Sequence, residues 1–186
     1  MRGYLAHMDK LLGIYLNDQL AAGVLWRQIA RRSQRSNRDT PAGEALARVA
    51  DAIAEDVATF ERIMDRLGVR RSPVKPALAI VAERVGRLKP NGRLASYSPL
   101  SRFEELEFVV MGIEGKKVLW QTLRDCAGLA ERLPDVDFDG LIERAQRQRD
   151  ELEPHRRAAG AQAFGRPAIA VPGAHRPRQM APPPPA

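Results

Sequence analysis

The sequence predicts an all-α protein in which four long helices share one core. Two observations predict this fold class. The composition is 44% hydrophobic with only 5% aromatic residues, a balance that favours helices over sheets. Apolar residues also recur at steps of three and four along four long stretches, which is the spacing of one face of an α-helix.

The first two helices are joined by a short loop. The first is expected to end in the arginine-rich stretch RRSQRSNRD. Thr40 then caps the second helix, with Pro41 in its first turn, and Gly68 ends it. The apolar seam of the first helix is predicted at Tyr4, Met8, Leu11, Tyr15, Ala22, Leu25 and Ile29, and that of the second at Leu46, Val49, Ile53, Phe60, Ile63 and Leu67.

The third and fourth helices form another such pair. Ser98 caps the third helix and Pro99 follows it, although Ser101 with Glu104 also fits a capping box. Residues 135–137 precede the fourth helix, and Pro154 is expected to disrupt it. The inward lines are predicted at Phe103, Leu106, Val110, Ile113 and Trp120, and at Phe138, Leu141, Ala145 and Leu152.

The connection between the second and third helices, residues 69–97, is far longer than the other loops. It can span the length of a helix, about 40 Å, so that the second and third helices run parallel. Part of it keeps the helical spacing between Val74 and Leu88. A four-helix bundle with one such helical crossover has the ferritin-like arrangement.

Polar residues interrupt the apolar seams of all four helices at a similar height. They are Asp18, Asp56, Lys117 and Gln148, with Glu114 one turn before Lys117. Because an unpaired buried charge is costly, we interpret them as a network in which Asp18 and Asp56 compensate Lys117. A carboxylate-only metal site, a small-ligand pocket and a catalytic Lys–Asp pair are the alternatives.

A di-iron site in such a bundle needs two Glu-x-x-His pairs in addition to two glutamates. The sequence has three histidines, His7, His155 and His175, and none has a glutamate three residues before it. We therefore predict no metal ion, no cofactor and no catalytic residue at the polar layer.

The net charge of +7 is unevenly distributed. Residues 66–102 carry nine basic groups and one acidic group, whereas residues 103–155 carry seven basic and thirteen acidic groups. We expect the basic connection to pack near the acidic half. A basic patch that could contact phosphate-rich surfaces comprises Arg70, Arg71, Lys75, Arg84, Arg87, Lys89 and Arg93.

The predicted domain covers residues 1–157. Residues 158–186 are rich in Pro, Ala and Arg and poor in large apolar residues, which predicts a disordered tail. With one cysteine, Cys126, no signal-peptide pattern and no long apolar run, the sequence predicts a cytoplasmic protein.

Four stretches carry a resemblance to known proteins: YLNDQLAAG, LGVRRSPVKPALA, LKPNGRLASYSPLSRFEELE and GIEGKKVLW. Together with the order of the helices, they resemble an uncharacterised group of ferritin-like four-helix bundle proteins from high-GC bacteria. The resemblance covers roughly residues 4–157, and five lysines against twenty-five arginines agree with a high-GC genome. It implies the fold and no activity, since the di-iron ligands of the ferritin superfamily have no matching positions.

The leading functional hypothesis is a non-enzymatic bundle with a metal-free polar layer that binds a protein partner or assembles with itself. The first alternative is a metal- or small-ligand-binding protein, such as an oxidoreductase, that uses Asp18, Asp56, Glu114 and Lys117. The second alternative is binding of phosphate-rich surfaces through the basic patch, which should weaken steeply with salt. Nucleic acid and membrane surfaces are the less favoured partners.

Overall fold

The fold was analysed in a computed structural model that describes residues 2–72 and 98–166. Within these ranges all regular structure is helical, which confirms the all-α prediction. The elements are α1 (Arg2–Ser36), α2 (Pro41–Arg66), α3 (Pro99–Gln121), a π-helical turn (Thr122–Cys126), the short α4 (Leu129–Arg132) and α5 (Phe138–Ala163). The predicted fourth helix is thus α5.

Side-chain caps begin three of the long helices, at Thr40 and Ser98 as the sequence predicts and at Asp137, which caps α5. The Thr40 hydroxyl accepts a hydrogen bond from the backbone N–H of Gly43 at 3.3 Å. The Ser98 hydroxyl accepts one from Ser101 at 3.1 Å, which selects Ser98 as the cap of α3. Gly68, with φ of +68°, follows the last turn of α2.

The four long helices form a ring in which every neighbouring pair is antiparallel. The order around the ring is α1, α2, α5 and α3, and α3 closes it against α1. Arg48, in the first part of α2, pairs with Glu151 in the middle of α5, and Arg66, at the end of α2, pairs with Asp135 just before α5. α2 and α5 therefore run in opposite directions. α2 and α3 lie diagonally opposite and run parallel.

The start of α3 lies beside the turn between α1 and α2. Arg102 donates a hydrogen bond from Nε to Oδ1 of Asn37 at 2.9 Å. α2 ends at the opposite end of the ring, so the end of α2 and the start of α3 lie about a helix length apart. The helix predicted between Val74 and Leu88 lies outside the described residues.

Two clusters of buried apolar side chains fill the ring. One lies towards the turn between α1 and α2 and is centred on Leu46, Val49 and Leu106. The other lies towards α4 and includes Leu16, Phe60 and Trp120. The polar residues described below lie between them.

The prediction that Pro154 disrupts the last helix is wrong. α5 continues to Ala163 with Pro154 inside it, although proline removes one backbone hydrogen bond. Packing explains the continuation, because Gly160 lies against the ring of Phe103, and Phe164 makes an edge-to-face contact with that ring at 5.4 Å. The predicted boundary after residue 157 therefore falls within a helix. Residues 167–186 of the predicted tail lie outside the described residues.

None of the described helices combines the length and apolar character that a membrane crossing requires.

Candidate functional site: a buried ion network and an adjoining cleft

A buried carboxylate on α2 organises the polar core. Asp56 is 2% exposed and accepts hydrogen bonds from three side chains on two other helices. Lys116 donates to Oδ2, Arg144 donates to Oδ1, and Gln148 Nε2 donates to Oδ2 at 3.2 Å. Lys116 also donates to Oε1 of Gln148. We call Asp56, Lys116, Arg144 and Gln148 the Asp56 network.

Helical spacing brings the network together. Gln148 and Arg144 lie one turn apart on α5, so both reach the same carboxylate on α2. Lys116 approaches from α3, diagonally across the core, and only 13% of its side chain is exposed. The network therefore joins three of the four long helices, α2, α3 and α5, at the same level along the bundle.

The buried part of the network carries an excess of positive charge, because two cations share one carboxylate. Glu55 approaches Arg144 at 3.5 Å, but its side chain is 70% exposed. Burial lowers the pKa of the Lys116 ammonium, and Arg144 acts in the same direction while Asp56 opposes both. The Nε of Arg144 is buried with no hydrogen-bond partner among the described residues.

Lys117 and Glu114 do not belong to this network, contrary to the prediction. The lysine in the core is Lys116, one residue earlier. Lys117 points to the α3–α5 surface, where its Nζ lies 2.7 Å from Glu114 and donates to Gln146 at 2.8 Å. Glu114 also pairs with Arg149 at 3.3 Å. These contacts join two helices at the surface.

Asp18 is also wrongly predicted, since its side chain is exposed. It lies in a groove between α1 and the segment that follows α2. The polar residue that acts structurally in YLND is Asn17. Its Nδ2 donates to the carbonyl of Arg70 at 3.1 Å, and its Oδ1 accepts from the backbone N–H of Ser72 at 2.6 Å. No sequence pattern distinguished Asn17 from Asp18.

The three carboxylates predicted for a metal site are not brought together. Asp56 is in the core, Glu114 is on the α3–α5 surface, and Asp18 is in the groove. Across the part of the chain that the structure describes, no group of three or more His, Cys, Asp or Glu side chains could hold a metal ion.

A cleft adjoins the Asp56 network between α1, α2 and α3, with a volume of about 90 Å³. Its walls are formed by Gln19, Leu20, Ala22, Gly23 and Trp26 on α1, Ile53, Asp56, Val57 and Phe60 on α2, and Gly112, Ile113, Gly115, Lys116, Leu119 and Trp120 on α3. Trp120 is 1% exposed, and its Nε1 has no hydrogen-bond partner within the described ranges. The lining is thus apolar except for Asp56, Lys116 and Gln19 and the indole of Trp120.

Two glycines shape the cleft. A Cβ at Gly112 would lie 2.5 Å from a ring carbon of Trp26, so the glycine lets this ring pack against α3. A Cβ at Gly115 would meet no atom within 4 Å, because this glycine faces open space.

The outer face of α3 exposes apolar side chains. Met111 is 57% exposed and Val118 is 55% exposed, and exposed Gly115 lies between them at steps of four and three. We call Met111, Gly115 and Val118 the α3 stripe. Its members share one helix face, unlike apolar residues scattered singly over a surface.

Most members of the predicted basic patch lie outside the described ranges. These members are Lys75, Arg84, Arg87, Lys89 and Arg93. Of the two described members, Arg71 pairs with Asp65 at 2.9 Å and with Glu61 at 3.5 Å. Arg70 lines the same groove as Asp18.

Comparisons with protein-family models, with curated proteins and with solved structures find no significant match to this chain.

Proposed function

We propose that this protein is a ferritin-like four-helix bundle that acts without catalysis, by associating with a second copy of itself through the α3 stripe. The exposure of Met111 and Val118 on one helix face carries this proposal. In this proposal, the side chains of the Asp56 network bind no metal and fix the register of the helices.

The ring of helices supports the ferritin-like assignment. Its neighbours are antiparallel, while α2 and α3 are parallel and diagonally opposite. One long crossover between the second and third long helices gives this topology, and ferritin-like folds have such a crossover.

A two-fold axis near Gly115 gives the interface a simple geometry. In a symmetric dimer the same surface faces itself, so Met111 of one copy would contact Val118 of the other. Because Gly115 has no side chain, the two α3 helices can approach closely at the crossing. A stripe of three residues is a small interface, so we expect association in the micromolar range or weaker.

Sedimentation velocity over a range from micromolar to millimolar protein tests the proposal. The wild-type chain should form dimers as its concentration rises, and the double variant Met111→Lys, Val118→Lys should remain monomeric. Ile14→Lys is the matched control, because Ile14 is similarly exposed but lies on α1. It should dimerise like the wild type.

A wild-type chain that stays monomeric up to millimolar concentration would contradict self-association. Crosslinking in a lysate would then show whether the α3 stripe contacts a different protein. Loss of the dimer in Ile14→Lys, with the double variant unaffected, would move the interface from α3 to α1.

A further inference from the structure

We propose that the cleft between α1, α2 and α3 binds a small monocarboxylate with an apolar body. The inference does not require self-association, but Gly115 belongs both to the α3 stripe and to the lining of the cleft, so it is tested on the monomeric chain. It follows from three properties of the cleft: its buried charge, its unsatisfied donor and its apolar walls.

The charge at the base of the cleft favours an anion. Lys116 and Arg144 are held by a single buried carboxylate, Asp56, so the buried part of the network sets two cations against one carboxylate. Arg144 has a further carboxylate, that of Glu55, only at the exposed outer side of the network. Lys116 itself lines the cleft, and an ammonium can donate three hydrogen bonds. Its two assigned acceptors, on Asp56 and Gln148, leave one donor for a ligand.

A second donor belongs to Trp120, whose side chain also lines the cleft. The indole N–H of Trp120 is buried and has no acceptor in the described part of the chain, and leaving a buried donor unsatisfied is costly. Trp120 lies one helical turn after Lys116 on α3, so both residues face the cleft. A carboxylate has two oxygens that only accept hydrogen bonds, so it suits an ammonium and an indole N–H together.

The walls limit the remainder of the ligand. Trp26, Phe60 and Leu20 are among the side chains that surround the cleft, so they favour an apolar group. A volume of about 90 Å³ is smaller than the engineered cavity of about 150 Å³ that binds benzene. The cleft also opens beside Gly115, where nothing crowds the entrance. A ligand the size of a single ring can thus enter with part of it at the entrance.

Three ring compounds of nearly equal size test the proposal: benzoate, benzyl alcohol and benzylamine. Both tryptophans of the chain, Trp26 and Trp120, line the cleft, so intrinsic fluorescence reports binding directly. The titrations use the full chain at concentrations at which it is monomeric. Benzoate should bind saturably, benzyl alcohol about tenfold or more weakly, and benzylamine not at all.

Lys116→Met should weaken benzoate binding by about tenfold or more and leave benzyl alcohol unaffected. Lys117→Met is the matched control, because Lys117 carries the same charge at the surface, and it should bind benzoate like the wild type. Ala22→Leu narrows the cleft without changing any charge, so it should weaken the binding of both benzoate and benzyl alcohol. Circular dichroism establishes that each variant is folded.

Equal binding of the three compounds, or no binding of benzoate to the wild type, would overturn the proposal. So would unchanged benzoate affinity in folded Lys116→Met. If Lys116→Met does not fold, Trp120→Phe provides a second test, because it removes the indole N–H together with part of the ring. Unchanged benzoate affinity in that variant would also overturn the proposed carboxylate site.

Discussion

The ring of Trp26 lies directly against Gly112, so that a methyl group at residue 112 would approach ring carbon Cδ2 to 2.5 Å. One turn further along α3, a methyl group at Gly115 would meet no atom within 4 Å. Two glycines on one helix thus have opposite roles. Within one copy, Gly112 permits a helix contact, whereas Gly115 permits none and weakens the helix.

The same substitution at these two glycines should therefore change stability in opposite directions. Gly112→Ala should lower the free energy of unfolding by about 1–3 kcal/mol, because the ring of Trp26 must move. Gly115→Ala should raise it by about 0.5–1 kcal/mol through helix propensity. Urea denaturation at concentrations that keep the chain monomeric measures both. A stabilised Gly112→Ala would show that Trp26 does not pack on α3.

Asp56 should matter more to stability than Lys116. Asp56→Asn removes the one carboxylate among the described residues that is buried against Lys116 and Arg144, and we expect a loss of about 3 kcal/mol. Lys116→Met leaves Asp56 bonded to Arg144 and Gln148, so its cost should be about 1 kcal/mol or less.

Chemical denaturation followed by circular dichroism measures the difference, with Lys117→Met as the control at a surface pair. Similar losses in Asp56→Asn and Lys116→Met would show that one ion pair, and not a shared carboxylate, organises the layer.

Asn17 should hold the segment after α2 against α1. Asn17→Ala removes two hydrogen bonds to the backbone of Arg70 and Ser72, and we expect a loss of about 1 kcal/mol. Hydrogen exchange at the Ser72 amide should become faster. Asp18→Ala is the control, and it should change stability by less than about 0.5 kcal/mol because Asp18 is exposed. A larger loss of stability in Asp18→Ala than in Asn17→Ala would show that Asp18 is the residue that faces the core.

His155 should make stability depend on pH in the weakly acidic range. Burial lowers its pKa below 6.5, Arg48 adds to this effect, and Glu151 opposes it. As the pH falls, His155 is therefore protonated in the unfolded chain at a higher pH than in the folded protein. The contribution of His155 to the free energy of unfolding is complete above pH 6.5, and it decreases as the pH falls towards the folded-state pKa.

Thermal unfolding of His155→Gln between pH 5 and pH 7 should show a flatter pH dependence than the wild type. If the wild type and His155→Gln show the same pH dependence of stability, the dependence arises from groups other than His155.

The sequence predicted helices and caps better than it predicted which residues face the core. On α2 a single apolar stripe exists, so Ile53, Asp56 and Phe60 were placed inward, where the structure has them. On α1 two apolar stripes run side by side, as in the neighbours Leu11 and Leu12. The predicted seam used Leu11, which is 48% exposed, and this error of register carried Asp18 inward.

The exchange of Lys117 for Lys116 has a similar cause. Both lysines lie an acceptable helical step after Ile113, three residues for one and four for the other. Only the position of Asp56 on the diagonal helix decides between them, and that is tertiary information. Arg144 was missed because an arginine on α5 looks like a surface residue until its partner on α2 is known.

The Asp56 network joins α2, α3 and α5 and includes no residue of α1. α1 is anchored by Asn17, near its middle, to the segment after α2, and the chain is anchored again by Asn37, directly after α1, to Arg102. Between these anchors its contacts with the cleft are mostly apolar, from Leu20 to Trp26. Local openings of this wall would break no buried ion pair, so they should require less free energy than openings of the other three helices. The middle of α1 is therefore the part of the protein best suited to admit a molecule to the interior without loosening the rest of the structure.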